Sequence, residues 1–359
     1  MDLSKINKKL ITYVGIGVGV VALIFVVLFV IKIMTGGKLS YENIESKMID
    51  AAERYYEDEE HKLPSESETV SVETLVSEKY MKPLEKYTKK NVTCTGEVKV
   101  SYNGLGYTYT PYLDCGDKYK TKELYKEIIK DSNLVTEDSG LYYINNKYIY
   151  RGEYVNNYIK YAGSLWRIIS VDADGNIKIL QEENKNKSKW DNRYNEIKKS
   201  KVGITNYEKS RLRETITELI DGFKDTDKAK LYKGNICIGG RTPDEIGKDG
   251  SIECKTVLEG EYAGLLTANE FLMASLQPTC NKIDDAQCMN YNYLATYQRA
   301  FWILTPNSEW THMGYKLTSG RINNSTANTD GYVRLTVTLN NNVLYKSGDG
   351  TKENPYILK

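Results

Sequence analysis

The first apolar segment of the chain, residues 10–31, contains no charged residue. As a helix it would be roughly 33 Å long, which is enough to cross the hydrocarbon core of a bilayer. Three lysines precede it, at positions 5, 8 and 9, whereas residues 42–60 contain eight acidic residues and two basic ones. The positive-inside rule therefore predicts a cytoplasmic tail at 1–9 and a transmembrane anchor at 10–34.

A cleaved signal peptide is the alternative interpretation of this segment. Its apolar stretch would be shorter, and it would end in a cleavage site of small residues. The exit at Lys32-Ile33-Met34 does not provide one. The sequence thus favours a single-pass protein of the cell membrane, with a cytoplasmic N-terminus, extracytoplasmic domains and the lipid bilayer as its first partner.

Residues 35–130 show the pattern of a small helix-plus-hairpin domain. Apolar residues recur at three- and four-residue steps over 38–60, which predicts an amphipathic helix, and a shorter helix is predicted over 72–80. Residues 92–100 and 107–112 alternate like two strands around a turn at 103–106.

The cysteines lie beyond the apolar segment at positions 94, 115, 237, 254, 280 and 288. If the turn at 103–106 is symmetric, Cys94 and Cys115 face each other across the hairpin, within disulfide range. Six cysteines leave many pairings open, and sequence neighbours give the simplest one: 94–115, 237–254 and 280–288. An even number in an exported chain favours disulfides. No CxxC or Cys/His spacing supports zinc.

Residues 10–120 resemble the pilin-like and pseudopilin-like exported proteins of Gram-positive bacteria. In those proteins a membrane helix continues into an amphipathic helix, which is followed by a small disulfide-closed sheet. The matching residues here are Ala51-Ala52, Tyr55-Tyr56, Leu75, Tyr80-Met81 and Cys94 to Cys115. The resemblance implies that residues 35–130 form a stalk domain.

Residues 131–150 are predicted to be a connector that turns into strand. From 151 to 359 short strands alternate with turns and a few helices, beginning with a strand, turn and strand over 157–180. This region resembles bacterial exported domains related to the sulfatase-modifying-factor branch of C-type-lectin-like folds. The matching residues are Tyr161, Gly163, Trp166, Arg167, Trp302, Leu304, Pro306, Arg334, Gly350, Thr351, Asn354, Pro355 and Tyr356.

The predicted fold class is therefore α+β. It comprises a single N-terminal transmembrane helix, a small pilin-like helix-plus-hairpin domain and a C-terminal C-type-lectin-like α+β domain. The resemblance implies a fold more firmly than an activity.

Composition excludes little but gives no support for nucleic-acid binding, because the net charge is +1 and the lysines alternate with acidic residues. The chain contains 30 tyrosines and 5 phenylalanines. Tyrosine suits half-exposed polar surfaces, although drift in an AT-rich genome explains the excess equally well.

The residues do not form a recognisable catalytic set, so we predict that the protein is not an enzyme and has no cofactor. Neither His61 nor His312 lies near a cysteine in the sequence, and no nucleophile elbow or P-loop occurs. The acidic run 172–176 imitates a calcium loop, but strands flank it and a hairpin turn explains it better. We predict that Cys280 and Cys288 form a disulfide and are not a reactive pair.

A ligand-binding surface is predicted in the late loops and strands, at Trp310, Tyr315, Arg321, Asn323 and Asn324. In C-type-lectin-like folds this part of the chain usually carries the ligand contacts. We therefore expect a surface protein with a non-catalytic head that binds an extracellular protein or glycan. A structural role in a pilus-like or secretion apparatus is the alternative, and a degenerate enzyme is a third hypothesis.

Overall fold

The computed structural model describes residues 38–183 and 186–359 of the 359-residue chain. Internal contacts divide the chain into two units. Unit 1 contains the residues up to Val100 together with Tyr109–Thr121, and unit 2 contains Ser101–Thr108 together with Lys122–Lys359.

The structure contradicts the predicted fold class and localisation. The described residues form a mixed helix-and-sheet protein with 6 helices and several sheets, and no helix among them is long and apolar enough to cross a bilayer. The prediction of a transmembrane α+β protein and of a single-pass membrane location is therefore corrected. The apolar segment 10–34 lies outside the described residues.

Unit 1 is built on one amphipathic helix and a three-stranded sheet. Its elements are α1 (Tyr41–Glu57), β1 (Ser67–Ser71), α2 (Val72–Ser77) and most of β2 (Thr95–Tyr102) and β3 (Tyr107–Asp114), whose ends within Ser101–Thr108 are assigned to unit 2. The strand order is β1-β2-β3. Ser40 caps α1 by accepting a hydrogen bond from Asn43 N. The predicted apolar face is the one that α1 buries, at Ile44, Met48, Ala51 and Ala52.

Unit 2 contains the remaining helices and strands. The helices are α3 (Leu124–Ile128), α4 (Arg211–Asp221), α5 (Asp225–Lys228) and α6 (Ala268–Ala274). The strands are β4 (Gly140–Ile144), β5 (Lys147–Arg151), β6 (Tyr158–Tyr161), β7 (Ser164–Val171), β8 (Ile177–Gln181), β9 (Lys187–Lys189), β10 (Gly234–Cys237), β11 (Val257–Glu261), β12 (Ala263–Leu265), β13 (Phe301–Pro306), β14 (Met313–Thr318), β15 (Arg321–Thr326), β16 (Asp330–Tyr332), β17 (Leu335–Leu339), β18 (Tyr345–Ser347) and β19 (Tyr356–Leu358).

The main sheet of unit 2 has nine strands. Its central path runs β12-β17-β8-β7-β6-β19-β18, and the β4–β5 hairpin adds to it through β5, which pairs with β7. A five-stranded sheet has the order β15-β14-β13-β16-β9, and β10 pairs with β11. Residues 131–150, predicted to be a connector, thus supply β4 and most of β5 to the main sheet.

One hydrophobic cluster extends through unit 2 and includes the three buried tryptophans, Trp166, Trp190 and Trp302. Trp190 and Trp302 meet edge to face, with ring centroids 5.6 Å apart. Helix α6 packs against β5 and β13. The helix therefore lies beside the β4–β5 hairpin, where the candidate site is found.

Three disulfides join the cysteines in the pairs predicted from sequence neighbours: 94–115, 237–254 and 280–288. The Cα atoms of Cys94 and Cys115 are 4.2 Å apart, as expected for residues that face each other across a hairpin. Three disulfides fit an extracellular protein.

Candidate functional site

Four of the five residues predicted to bind a ligand are exposed, and the fifth is buried. Trp310 is exposed in the loop between β13 and β14, and Arg321, Asn323 and Asn324 are exposed on β15, an edge strand. Tyr315 is 1% exposed, and its hydroxyl donates to the carbonyl of Arg241, so it is a core residue.

Asn307 connects three of these positions. Its side-chain oxygen accepts a hydrogen bond from the backbone N–H of Trp310, and its Nδ2 donates to Tyr315 Oη and Asn324 Oδ1. The Trp310 ring stacks on His312, with centroids 5.8 Å apart. Apart from Tyr315, the predicted surface thus consists of a half-exposed indole and exposed residues of the edge strand β15.

The acidic run 172–176 forms the turn between β7 and β8. The Asp172 carboxylate accepts hydrogen bonds from Asp174 N, Asn176 N and Asn176 Nδ2. These contacts make it the hairpin turn that the sequence favoured over a calcium loop. Within residues 38–183 and 186–359, no cluster of histidine, cysteine and acidic residues could hold a metal ion.

Unit 2 contains a cavity of about 130 Å³ beneath the β4–β5 hairpin. Its walls come from that hairpin, from β7, from the segment after β10, from α6 and from the chain before β13. The lining residues are Ile144, Asn145, Lys147, Ile149, Tyr150, Ile169, Ser170, Lys248, Asp249, Asn269, Glu270, Met273 and Tyr293. The sequence analysis named none of them as a site residue.

Local backbone features turn these side chains towards the cavity. Asn145 and Asn146 both have a positive φ, 50° and 61°, which gives the tight two-residue turn that connects β4 to β5. The pairing of β7 with β8 shifts register between Ile168 and Ser170. This bulge re-aims the side chains, so that the neighbouring residues Ile169 and Ser170 both line the cavity.

Tyr293 provides the most unusual group in the cavity. The residue is 1% exposed, and its hydroxyl has no hydrogen-bond partner in the described part of the chain. Its backbone N–H donates to the carbonyl of Gly152 at 2.7 Å. Burial raises the pKa of the Tyr293 hydroxyl well above its ordinary value, so the group keeps its proton and can donate it in a hydrogen bond.

The neighbouring residue Asn292 fixes the position of Tyr293. It is buried, and its Nδ2 donates to the carbonyls of Phe271 and Cys288, both at 2.9 Å. Its Oδ1 accepts a hydrogen bond from Leu294 N. Tyr293 is therefore tied on its N-terminal side to α6 and to the loop closed by Cys280–Cys288.

Lys248 contributes a half-buried ammonium group. No hydrogen bond or ion pair forms at this group with residues 38–183 or 186–359. Burial lowers the pKa of Lys248, and the nearby positive charge of Arg151 lowers it further. The segment that carries Lys248 is held by the Cys237–Cys254 disulfide and by the hydrogen bond from Gly247 N to Asn281 O.

The two carboxylates of the lining already have partners. Glu270 forms an ion pair with Lys178, and its Oε2 accepts a hydrogen bond from Thr267 N in the capping box of α6. Asp249 Oδ1 accepts hydrogen bonds from the backbone N–H and the hydroxyl of Ser251, which lower the pKa of Asp249. The cavity thus offers an unpaired hydroxyl and an unpaired ammonium group, whereas both carboxylates of its lining have partners.

No protein-family model, curated protein or solved structure matches this chain. The resemblances to pilin-like proteins and to the sulfatase-modifying-factor branch therefore stay predictions. The geometry of the cavity is the observation on which a functional proposal can rest.

Proposed function

We propose that the protein is a non-catalytic binding protein of the extracellular space, and that unit 2 encloses a small ligand beneath the β4–β5 hairpin. The single observation that carries the proposal is the Tyr293 hydroxyl, which is buried and has no hydrogen-bond partner among the described residues, on a residue that lines a cavity. A buried polar group without a partner costs about 1–3 kcal/mol. A ligand that supplies an acceptor removes this cost.

The composition of the lining supports binding rather than catalysis. Ile144, Ile149, Ile169 and Met273 give the cavity apolar walls, and a few donors interrupt them. Small-molecule sites have this character, with polar groups that fix the orientation of the ligand. The lining contains no thiol and no imidazole, and its two carboxylates are occupied by Lys178, Thr267 and Ser251.

The Trp310 surface is the second candidate, as a site for an extracellular protein or a glycan. The observation that favours it is the indole itself, which is 51% exposed although the loop around it is well hydrogen-bonded. The alternative role in a pilus-like apparatus stays a prediction.

We expect Tyr293→Phe to weaken ligand binding without lowering stability. The substitution keeps the ring and its packing and removes only the unpartnered hydroxyl, so the ligand-free protein loses no hydrogen bond. The test is ligand-observed NMR of the full chain with butyrate, butyramide, 1-butanol and butylamine, together with urea denaturation of both proteins. A loss of about 1 kcal/mol or more in the free energy of unfolding would show that the hydroxyl has a protein partner.

Filling the cavity gives an independent test. Ser170→Leu places a larger side chain in the cavity and should abolish binding of each of the four compounds that binds the unmodified chain. Ser347→Leu is the matched control, because Ser347 is exposed on β18 and does not line the cavity. The proposal fails if none of the four compounds binds the unmodified chain, or if the two leucine variants bind equally well.

A further inference from the structure

Cations without carboxylate partners surround the cavity. Lys248 and Lys147 line it, and neither forms an ion pair with the described residues. Arg151 donates to two backbone carbonyls, those of Met273 and Ser275, and not to a carboxylate. Three cations in or beside the cavity thus have no ion-pair partner among the described residues.

A further cation lies over the ring of Tyr293. Arg167 is 5% exposed, and its guanidinium lies 4.8 Å from the centroid of the Tyr293 ring. It donates to Asn157 Oδ1 and to the hydroxyl of Tyr158, both of which are neutral. Burying a cation without a counter-charge is costly, and a nearby anion reduces that cost.

The acidic residues of the lining do not supply this anion. Glu270 is neutralised by Lys178, and Asp249 lies in an exposed turn where the Ser251 N–H and hydroxyl bind it. The cations Lys147, Lys248 and Arg151 thus lack an ion-pair partner among the described residues, whereas both carboxylates of the lining have partners.

We infer that the ligand is a small aliphatic carboxylate, whose carboxylate group binds the Lys248 ammonium and the Tyr293 hydroxyl. This inference rests on the proposed function and names the chemical class of its ligand. Charge-assisted hydrogen bonds from an ammonium and a hydroxyl are the strong contacts that a carboxylate forms. The aliphatic part contacts Ile144, Ile149 and Ile169.

The volume of the cavity limits the size of this ligand. An apolar cavity of about 150 Å³ accommodates benzene, which has six heavy atoms. A cavity of about 130 Å³ therefore holds a molecule of about five or six heavy atoms, such as butyrate. The same carboxylate chemistry occurs in a free short-chain acid and at the C-terminus of a peptide.

The test compares compounds of equal size and different charge on the full chain. Butyrate should bind at least about tenfold more tightly than butyramide, and butylamine should not bind, because the cations repel it. Gly-Gly-Ala and its C-terminal amide distinguish the two sources. A free acid as the natural ligand predicts binding of butyrate only, whereas a peptide C-terminus predicts that Gly-Gly-Ala binds and its amide does not.

Lys248→Met should reduce butyrate affinity by about tenfold to a hundredfold and leave butyramide affinity unchanged. Lys248→Arg should retain most of the butyrate affinity. Lys346→Met is the matched control on exposed β18 and should have no effect. Equal binding of butyrate and butyramide, or tighter binding of butylamine, would overturn the carboxylate inference and leave the cavity proposal standing. Failure of all four compounds would overturn both.

Discussion

Glu253→Gln is expected to lower the free energy of unfolding by about 3–5 kcal/mol. Arg241 and Glu253 form an ion pair at 3.1 Å, with side chains 0% and 1% exposed. The substitution keeps the size of the side chain and removes its charge, so the Arg241 guanidinium is left buried without a counter-ion. Much of the expected loss comes from that uncompensated charge.

The same ion pair organises the segment next to the cavity. The Arg241 Nη2 also donates to the carbonyls of Glu245 and Gly247, and Glu253 Oε1 accepts a hydrogen bond from Asn269 N. These contacts fix the backbone directly before Lys248 and at the start of α6. We therefore expect Glu253→Gln to weaken ligand binding as well as stability.

Urea denaturation of the full chain measures the stability effect. Glu245→Gln is the control, because Glu245 forms an ion pair at 3.2 Å with Lys255, whose side chain is 67% exposed. Exposed pairs contribute about 0–1 kcal/mol. If the two glutamine variants lose equal free energy of unfolding, the buried Arg241–Glu253 pair does not contribute more to stability than the exposed pair.

The second large effect is expected on removal of the Cys237–Cys254 disulfide. The cysteines are 17 residues apart, and in the chain-entropy account closing a loop of that size stabilises the folded state by about 3 kcal/mol. The free energy of unfolding of the double variant Cys237→Ser with Cys254→Ser should therefore be lower by about 3 kcal/mol. It should also bind butyrate more weakly, because Lys248 lies inside the released loop.

Cys94→Ser with Cys115→Ser provides the matched control for binding. Its cysteines are 21 residues apart, so its expected loss of stability is also about 3 kcal/mol, but this disulfide belongs to unit 1. Denaturation midpoints and butyrate titrations of both variants separate the two effects. Equal butyrate affinity in the two double variants would show that the loop does not position Lys248.

Local features of the fold could be predicted from the sequence because short-range patterns determine them. The apolar spacing of Ile44, Met48 and Ala51 identifies the buried face of α1, and the turn at 103–106 places Cys94 opposite Cys115. Residues 131–150 are predicted to be a connector that turns into strand, and they contain the strands β4 and most of β5. Their pairing with β7 is a long-range contact that the local pattern does not reveal.

The candidate site could not be predicted for the same reason. Its lining residues are scattered between positions 144 and 293 and form no continuous motif. The bulge at Ile169 is not marked by a glycine or proline in the sequence. Tyr315 is predicted to belong to the ligand-binding surface, whereas its ring is buried and its hydroxyl is hydrogen-bonded to Arg241 and Asn307, which are separate from it in the sequence pattern. Only the three-dimensional structure shows that Lys248 has no ion-pair partner and that the Tyr293 hydroxyl has no hydrogen-bond partner among the described residues.

A crystal structure of the full chain with butyrate tests the central claim most directly. We predict that density for the ligand lies beneath the β4–β5 hairpin, with its carboxylate in hydrogen-bond contact with the Tyr293 hydroxyl and Lys248. The claim is contradicted if the hairpin packs onto α6 without a cavity and the Tyr293 hydroxyl donates a hydrogen bond to a protein atom.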